Sequence, residues 1–323
     1  MVTVEKIKEL TLGALRIWEE DGYVHFSRFT EAQAEIIAGR GFPFHVKATA
    51  GIKIEFTTCG GEISFDYRAQ KCVEKDCFNV EITSDGIPVH HVYTEGSVDT
   101  GIIKYTVPES KKRVHVAIYF PNLANMQIKN LVIPEDAAAV KKDMKLLALG
   151  DSITHGEWAN HPNHTYISIL ANELNAEMVN QGVRGDEFFE GNIDADIPFA
   201  PDIVTVAYGA NDYASGTLFG ENPEKYFKKL YSLYSDKKVF VILPIWYGKE
   251  AEAVGGHTLE EGRAHIREIA EKYPNTFVID CGNVVPHLPE FYHDEIMLHP
   301  NDLGYFYYGA YVSKAVKKEL GIS

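Results

Sequence analysis

Four short polar segments of this 323-residue chain carry groups that could together transfer an acyl group. A serine hydroxyl is a weak nucleophile that needs an adjacent base, and histidine is a suitable base near neutral pH. The tetrahedral intermediate also needs hydrogen-bond donors where negative charge develops. The segments that offer these groups are Gly150-Asp151-Ser152, Gln181-Gly182-Val183-Arg184-Gly185-Asp186, Gly209-Ala210-Asn211-Asp212 and Leu298-His299-Pro300-Asn301-Asp302.

The residue types give each segment a distinct predicted role. Ser152 is the predicted nucleophile and His299 its base. The backbone N–H groups of Ser152 and Gly185 and the side-chain amide of Asn211 are the predicted oxyanion hole, because glycine lets the backbone approach closely. Each segment alone has an ordinary explanation, as a turn or as the cap of a helix. Their joint occurrence in this order favours catalysis.

The elements that must position these residues are strands and helices in alternation. The apolar runs LLALG, AEMVNQG, DIVTVAYG, KVFVILPIW and TFVIDCG are typical of strands covered by helices on both faces. Ligands bind at the carboxyl ends of strands in doubly wound sheets, which is where three of the four segments fall. The predicted helices are residues 164–174, 223–234 with Asn222 as cap, 258–273 with a Thr258–Glu261 capping box, and 302–319. This part is therefore expected to be a doubly wound α/β domain.

The N-terminal part is predicted to be a β-sandwich. Short runs rich in β-branched and aromatic residues recur between residues 22 and 133: FPFHVKATA, GIKIEFTTC, GEISFDYRA, FNVEITSDG, IPVHHVYTE, GIIKYTVPE and KRVHVAIYFP. Strands at this spacing are typical of sandwiches, and Asp85-Gly86 predicts a hairpin turn. The polar segment 134–143 interrupts the strands. We therefore expect a jelly-roll-like β-sandwich domain at 1–138 and the catalytic domain at 139–323.

Composition and charge restrict the binding partners, the location and the cofactors that we expect for this protein. The net charge of −15 disfavours nucleic acid and anionic membrane surfaces. No run of 18 apolar residues and no secretory signal is visible, which predicts a cytoplasmic protein without a membrane partner. Cys72 and Cys77 lack the second pair that a zinc site needs, so reduced thiols and no metal are expected. No nucleotide fingerprint follows a strand, so no cofactor is expected, and an oligomer of identical chains is left open.

The four segments resemble those of the SGNH/GDSL hydrolase superfamily. The matching stretches are LALGDSIT, NQGVRGD, YGAND and LHPNDLGY, and the resemblance covers residues 145 to about 320. It implies a flavodoxin-like three-layer fold and metal-free catalysis. It also implies the roles given above for Ser152, Gly185, Asn211 and His299.

One position departs from the family pattern. The family usually carries an aspartate three residues before the histidine, and Ile296 stands there in this chain. Asp294 or Glu295 could turn back to orient the histidine, which we favour with Asp294 as the third catalytic residue. The alternative is a Ser152–His299 dyad with a backbone carbonyl as the orienting group.

The domain order suggests a substrate class. A jelly-roll-like domain before an SGNH domain resembles carbohydrate esterases of family 2, which implies a small-molecule or oligosaccharide acetyl ester as substrate. This analogy is architectural. The alternatives are a lipid or thioester hydrolase or an O-acetyltransferase of SGNH type, and a non-enzymatic carbohydrate-binding protein that retains the motifs.

Further side chains near the strand ends are predicted to shape the substrate pocket. His155 and Trp158 follow the nucleophile, and Trp246 follows another predicted strand. Aromatic rings at such positions can stack on sugars, although ordinary loop packing also explains them. Arg184, beside the predicted oxyanion glycine, could bind a substrate oxygen or a nearby carboxylate such as Asp186.

Overall fold

The computed structural model describes residues 2–72, 77–95 and 99–322. Two antiparallel sheets form the first half of the chain and one parallel sheet forms the second. The side chain of Cys77 lies outside the described residues, so the expectation for the Cys72–Cys77 pair stays a prediction.

The two antiparallel sheets form the predicted β-sandwich. One sheet has the order β1 (Thr11–Leu12), β4 (Lys53–Thr58), β9 (Val114–Tyr119), β6 (Cys77–Ser84) and β7 (Ile87–Glu95), with β11 (Ala138–Ala139) also paired to β4. The other has the order β2 (Arg16–Glu20), β3 (Tyr23–Ser27), β10 (Ala124–Val132), β5 (Gly61–Lys71) and β8 (Thr100–Val107). Successive side chains of a strand point to opposite faces. Ile63, Phe65 and Tyr67 of β5 are therefore buried together in the core between the sheets.

The predicted hairpin connects β6 and β7. Ser84 pairs with Ile87, and the two residues between them, Asp85 and Gly86, have φ values of 48° and 79°. Two positive φ angles are what a tight two-residue hairpin turn requires, because its twist then matches that of the strands. The hairpin prediction is confirmed.

Several elements of this half differ from the sequence-based expectation. Residues 42–50 form no strand and instead contain a 3-10 turn at His45–Lys47. Helices α1 (Val4–Leu10) and α2 (Glu31–Gly39) and strands β1, β2, β3 and β10 were not predicted. Thr30 caps α2 in a capping box with Gln33, so the sequence did carry the pattern of a helix start.

The parallel sheet is the centre of a three-layer α/β domain. Its order is β13 (Ala176–Gly182), β12 (Met144–Gly150), β14 (Ile203–Ala207), β15 (Lys238–Ile242) and β16 (Thr276–Ile279). Helices α4 (Tyr166–Glu173) and α8 (Asp302–Leu320) contribute to one hydrophobic cluster, and α6 (Asn222–Tyr234) and α7 (Leu259–Ala270) to another. Two short helices, α3 (Ser152–His155) and α5 (Ala210–Ser215), follow β12 and β14 directly. The fold-class prediction is confirmed.

The helix boundaries agree with the predicted ones within a few residues. The capping box of Thr258 and Glu261 is present and opens α7, which ends at Ala270 rather than near Tyr273. Asn222 is the first residue of α6 and not its cap, because the cap position is Glu221. Among the described residues, no helix is both long and apolar enough to cross a membrane.

A buried arginine joins the sandwich to the parallel sheet. Arg28 is 0% exposed, and its guanidinium donates to the carbonyl oxygens of Asn180 (2.6 Å) and Gly182 (2.8 Å) on β13. It also donates to the carbonyls of Ala48 and His45 in the sandwich half. One side chain thus satisfies four carbonyls from both halves of the molecule.

Candidate active site

Ser152 lies at the sharp turn between β12 and α3. Asp151 caps α3 by accepting a hydrogen bond from the Ile153 N–H at 3.0 Å, and Ser152 is the first helical residue. A Cβ atom at Gly150 would lie 2.1 Å from Thr154 Oγ1, so only glycine allows this close return of the chain. The turn places the hydroxyl at the carboxyl edge of the sheet.

His299 meets Ser152 across this edge. Its Nε2 is 3.0 Å from Ser152 Oγ, within hydrogen-bond distance. Its Nδ1 lies 2.7 Å from Asp294 Oδ2. Since an ionised carboxylate can only accept, Nδ1 carries the hydrogen and Nε2 offers its lone pair to the serine hydroxyl. The geometry is that of a serine–histidine–aspartate triad.

The aspartate reaches the histidine although it stands five residues before it. The chain folds around the Asp294 carboxylate, which also accepts the backbone N–H groups of Leu298 (2.8 Å) and His299 (2.9 Å). Partial burial alone would raise the pKa of Asp294, but the hydrogen bonds from His299 and these two amides outweigh it and lower the pKa below its ordinary value. Glu295 and Ile296 are exposed on the outside of this loop.

The predicted oxyanion donors lie on the two neighbouring strand ends. Gly185 is exposed with φ of 79°, a conformation that favours glycine. Asn211 is the second residue of α5. Its side-chain Nδ2 donates one hydrogen to the backbone carbonyl of Asp186 at 2.9 Å. An amide nitrogen has two hydrogens, so one of them remains to donate to a substrate oxygen.

A glutamate that the sequence analysis did not single out also lies beside His299. Glu157 is 4% exposed, and its Oε2 is 3.5 Å from His299 Nε2. Both carboxylate oxygens accept from Arg184 Nε, at 2.8 and 2.9 Å. Arg184 therefore pairs with Glu157 rather than with Asp186, which instead pairs with Arg40. In the sequence, the one feature that could have pointed to Glu157 as a site residue is its position five residues after Ser152.

His155 does not reach the substrate side of the site, which corrects its predicted pocket role. It is 0% exposed, and its Nδ1 accepts the Arg184 backbone N–H at 3.2 Å. Burial, with the nearby Arg28 charge, lowers the pKa of His155 well below its ordinary value, so the ring is neutral. Its contact instead supports the segment that leads to Gly185.

The two tryptophans predicted to line the pocket have different surroundings. Trp158 adopts φ of 69°, and its ring centroid is 3.7 Å from that of His293, the residue before Asp294. It therefore lies close to the triad loop. Trp246 stacks on His287 at 4.0 Å and packs edge-on against Tyr292. These contacts are those of a packing residue, and its pocket role stays a prediction.

The sandwich half contributes residues to the site that the sequence did not reveal. Phe42 lies against Gly185: a Cβ atom at that glycine would be 3.3 Å from the phenylalanine ring. Arg40 pairs with buried Asp186 and lies over the rings of Phe42 and Phe189. The segment predicted as a strand at 42–50 thus begins as a wall beside the oxyanion glycine.

Comparisons with known proteins agree with this architecture. Residues 148–306 match the GDSL-like Lipase/Acylhydrolase family. A search of curated sequences found no match. The fold is similar to that of salicylyl-acyltransferase SsfX3 from a tetracycline biosynthetic pathway (TM-score 0.82, 16% identity, 97% of this chain and 94% of that chain). It is also similar to family two carbohydrate esterases from Clostridium thermocellum (0.65, 16%, 85% and 94%) and Cellvibrio japonicus (0.60, 13%, 96% and 95%).

The fold and the strand-end geometry define an SGNH-type hydrolase domain behind a β-sandwich. Residues 148–306 are a domain of the GDSL-like lipase/acylhydrolase family. The family match supports an acyl-ester hydrolase activity.

Proposed function

We propose that this protein is a serine esterase that removes O-acetyl groups from a carbohydrate. The observation that carries the esterase assignment is the chain of contacts from Ser152 Oγ to His299 Nε2 (3.0 Å) and from His299 Nδ1 to Asp294 (2.7 Å). Exposed Gly185 and the free hydrogen of Asn211 supply the oxyanion donors that such a nucleophile needs.

The proposed reaction proceeds through an acyl-enzyme. Ser152 Oγ attacks the ester carbonyl carbon while its proton moves to His299 Nε2, and Asp294 stabilises the imidazolium that forms. The tetrahedral intermediate collapses, and the departing sugar oxygen takes the proton from Nε2. A water then attacks the acyl-enzyme, gives its proton to Nε2, and acetate leaves as the proton returns to Ser152. A Glu157–Arg184 pair beside the histidine keeps this part of the site near neutral charge.

Two features favour a substrate in which a small acyl group is esterified to a sugar. The Phe42 ring lies close to Gly185, which restricts the space beside the oxyanion hole. The Trp158 ring contacts His293 of the triad loop at a tilted angle, where an aromatic ring can also pack on a sugar. The similar two-domain folds of family two carbohydrate esterases support the same substrate class.

Hydrolysis assays test the proposal directly. Wild type should cleave p-nitrophenyl acetate faster than the butyrate and octanoate esters and should release acetate from acetylated xylo- and gluco-oligosaccharides. Ser152→Ala should lose activity by about 10⁴-fold or more. Ser232→Ala, an exposed serine on α6, is the matched control and should keep full activity. A preference for octanoate, or activity that survives Ser152→Ala, contradicts the proposal.

Acyl transfer is the second candidate. This candidate is favoured by the similarity of the fold to that of an acyltransferase, with a TM-score of 0.82 over 97% of this chain. The partition of the acyl-enzyme between water and an added alcohol distinguishes the two functions. If the ester with a sugar or aromatic alcohol forms in preference to free acid at millimolar acceptor, the protein is a transferase.

A further inference from the structure

A cluster of histidines and carboxylates lies where the sandwich meets the hydrolase domain, apart from the triad. Glu81 and His91 are cross-strand partners on β6 and β7. His161 comes from the loop before α4. One ligand atom from each of these three residues lies within 4.8 Å of the others, and we call them the interface cluster.

Glu81 is the buried anchor of the interface cluster. Its side chain is 0% exposed, and one carboxylate oxygen contacts His161 Nδ1. The other oxygen, Oε1, is buried with no hydrogen-bond partner among the described residues. A buried carboxylate with an unpaired oxygen is unfavourable unless a cation or donor satisfies it. The interface cluster therefore has room for one more positive partner.

His91 has the second partner that a metal-bound histidine usually has. His91 Nε2 is 3.1 Å from the Asn160 carbonyl oxygen, which can only accept, so Nε2 carries the hydrogen and Nδ1 offers its lone pair. Metal-bound histidines commonly donate their other N–H to a carbonyl or carboxylate in this way. The rings of His91 and His161 are stacked with their centroids 4.0 Å apart, so one of the two rings must turn for both to bind one ion.

We propose that Glu81, His91 and His161 bind a zinc ion. Two imidazole nitrogens and one carboxylate oxygen form a set that suits Zn²⁺, which prefers borderline nitrogen ligands and four-coordinate geometry. Water or the neighbouring His164, whose ring is 4.6 Å from that of His161, completes the coordination. The zinc ion replaces the proton between His161 and Glu81, and its charge compensates the buried Glu81 carboxylate as a whole.

The site would fasten the two halves of the molecule at a place that matters for catalysis. Two of its ligands belong to the sandwich, and the third follows Trp158 by three residues. The His161 N–H also donates to Asp302, the first residue of α8, three residues after His299. The zinc ion is thus structural in this proposal and takes no part in the acyl chemistry.

Zinc titration of the full chain tests the proposal. Protein treated with EDTA is titrated with ZnCl₂ by calorimetry, as wild type, His91→Gln, His161→Gln and His90→Gln. His90 is the matched control, because successive strand residues face opposite sides and its ring lies near Tyr105. Wild type and His90→Gln should bind one zinc ion per chain, and the other two variants should bind it at least tenfold more weakly.

Thermal unfolding of the wild type, with and without zinc, tests the proposal without relying on any variant. Zinc at a hundredfold excess over Kd should raise the wild-type Tm by about 5 °C, reversibly with EDTA. Equal zinc affinity of wild type and His91→Gln overturns the proposal. So does a wild-type Tm that zinc leaves unchanged, or an equal rise with MgCl₂ or CaCl₂, since those cations prefer oxygen ligands.

Discussion

His299 has a carboxylate near each of its ring nitrogens, and the two have different partners. Asp294 on the Nδ1 side accepts two backbone N–H groups in addition to the ring. Glu157 on the Nε2 side is held by Arg184. Asp294 is thus placed to orient the histidine and stabilise its charged form, whereas the charge of Glu157 is already balanced by a guanidinium.

Asp294→Asn should lower kcat for p-nitrophenyl acetate by roughly 10³-fold. The amide cannot accept the Nδ1 hydrogen as strongly and does not stabilise the imidazolium. Glu295→Gln is the matched control, because that carboxylate is exposed next to Asp294, and it should keep wild-type kcat. If both variants remain active, the site is a Ser152–His299 dyad.

Arg184→Gln should lower kcat/KM by about tenfold or more. Glu157, which is 4% exposed, would lose its guanidinium partner and present an uncompensated negative charge 3.5 Å from His299 Nε2, the atom that must take up the serine proton. The measurement is steady-state kinetics, with Arg267→Gln as control, a partly exposed arginine on α7. An unchanged kcat/KM for Arg184→Gln would show that the ion pair does not influence the reaction.

At the scale of elements, the position of the loop that carries Gly185 depends on how β13 is attached to the sandwich. Arg28 donates to two carbonyls of β13 and two of the sandwich half. Gln33 of α2 and Gln181 of β13 exchange amide hydrogen bonds beside it, at 3.0 and 2.9 Å. These contacts fix β13 and the loop that carries Gly185 relative to α2 and to Phe42.

Arg28→Met should reduce the free energy of unfolding by at least about 3 kcal/mol. The substitution leaves four buried carbonyls without their donor, and each unsatisfied group costs about 1–3 kcal/mol. Urea unfolding measured by fluorescence provides the comparison. Arg16→Gln breaks an exposed ion pair with Glu31 and should change stability by no more than about 0.5 kcal/mol. Equal midpoints for the two variants would be inconsistent with this role.

At the scale of the whole molecule, a residue of the sandwich half, Phe42, lies beside the candidate oxyanion glycine of the other half. Phe42→Ala should shift the chain-length preference from acetate toward butyrate esters, because it removes the ring that lies against Gly185. Phe44→Ala, which truncates a side chain that is 62% exposed two residues away, should leave the preference unchanged. Identical acyl-chain profiles for the two variants would place the acyl group elsewhere.

The buried carboxyl groups make stability depend on pH. Burial raises the pKa of Asp151 and of Asp212 to about 7, so the folded protein holds protons that the unfolded chain releases near pH 4. Their stabilisation is complete below that value and is lost as the pH rises to about 7, on the order of 4 kcal/mol each. Asp294 and Glu55, whose pKa values are lowered, act in the opposite sense below about pH 4.5.

We therefore expect the Tm to be highest near pH 5 and to fall between pH 5 and 8. Scanning calorimetry in buffers across this range measures the trend. Asp212→Asn removes one of the two titrating groups and should flatten the decline. A Tm that rises from pH 5 to 8 would contradict the assignment of these buried, protonated carboxyls.

The sequence by itself determined the layered α/β fold and the residues at its strand ends. Continuous apolar runs specify a buried parallel sheet, and the carboxyl ends of parallel strands meet at one edge. The positions of Ser152, Gly185, Asn211 and His299 could therefore be inferred before any coordinates. The early strands and α2 were missed because their apolar patterns are short, and residues 42–50 have strand-like composition without strand pairing.

Only the tertiary structure decided which groups touch across the chain. Whether Asp294 or Glu295 faces His299 depends on how one loop turns, and hydrogen bonds from Leu298 and His299 decide it. Phe42 reaches Gly185, and Glu81 reaches His161, from residues 143 and 80 positions away in the sequence. Contacts of this kind follow from the packing of two domains against each other, and no local propensity or periodicity encodes them.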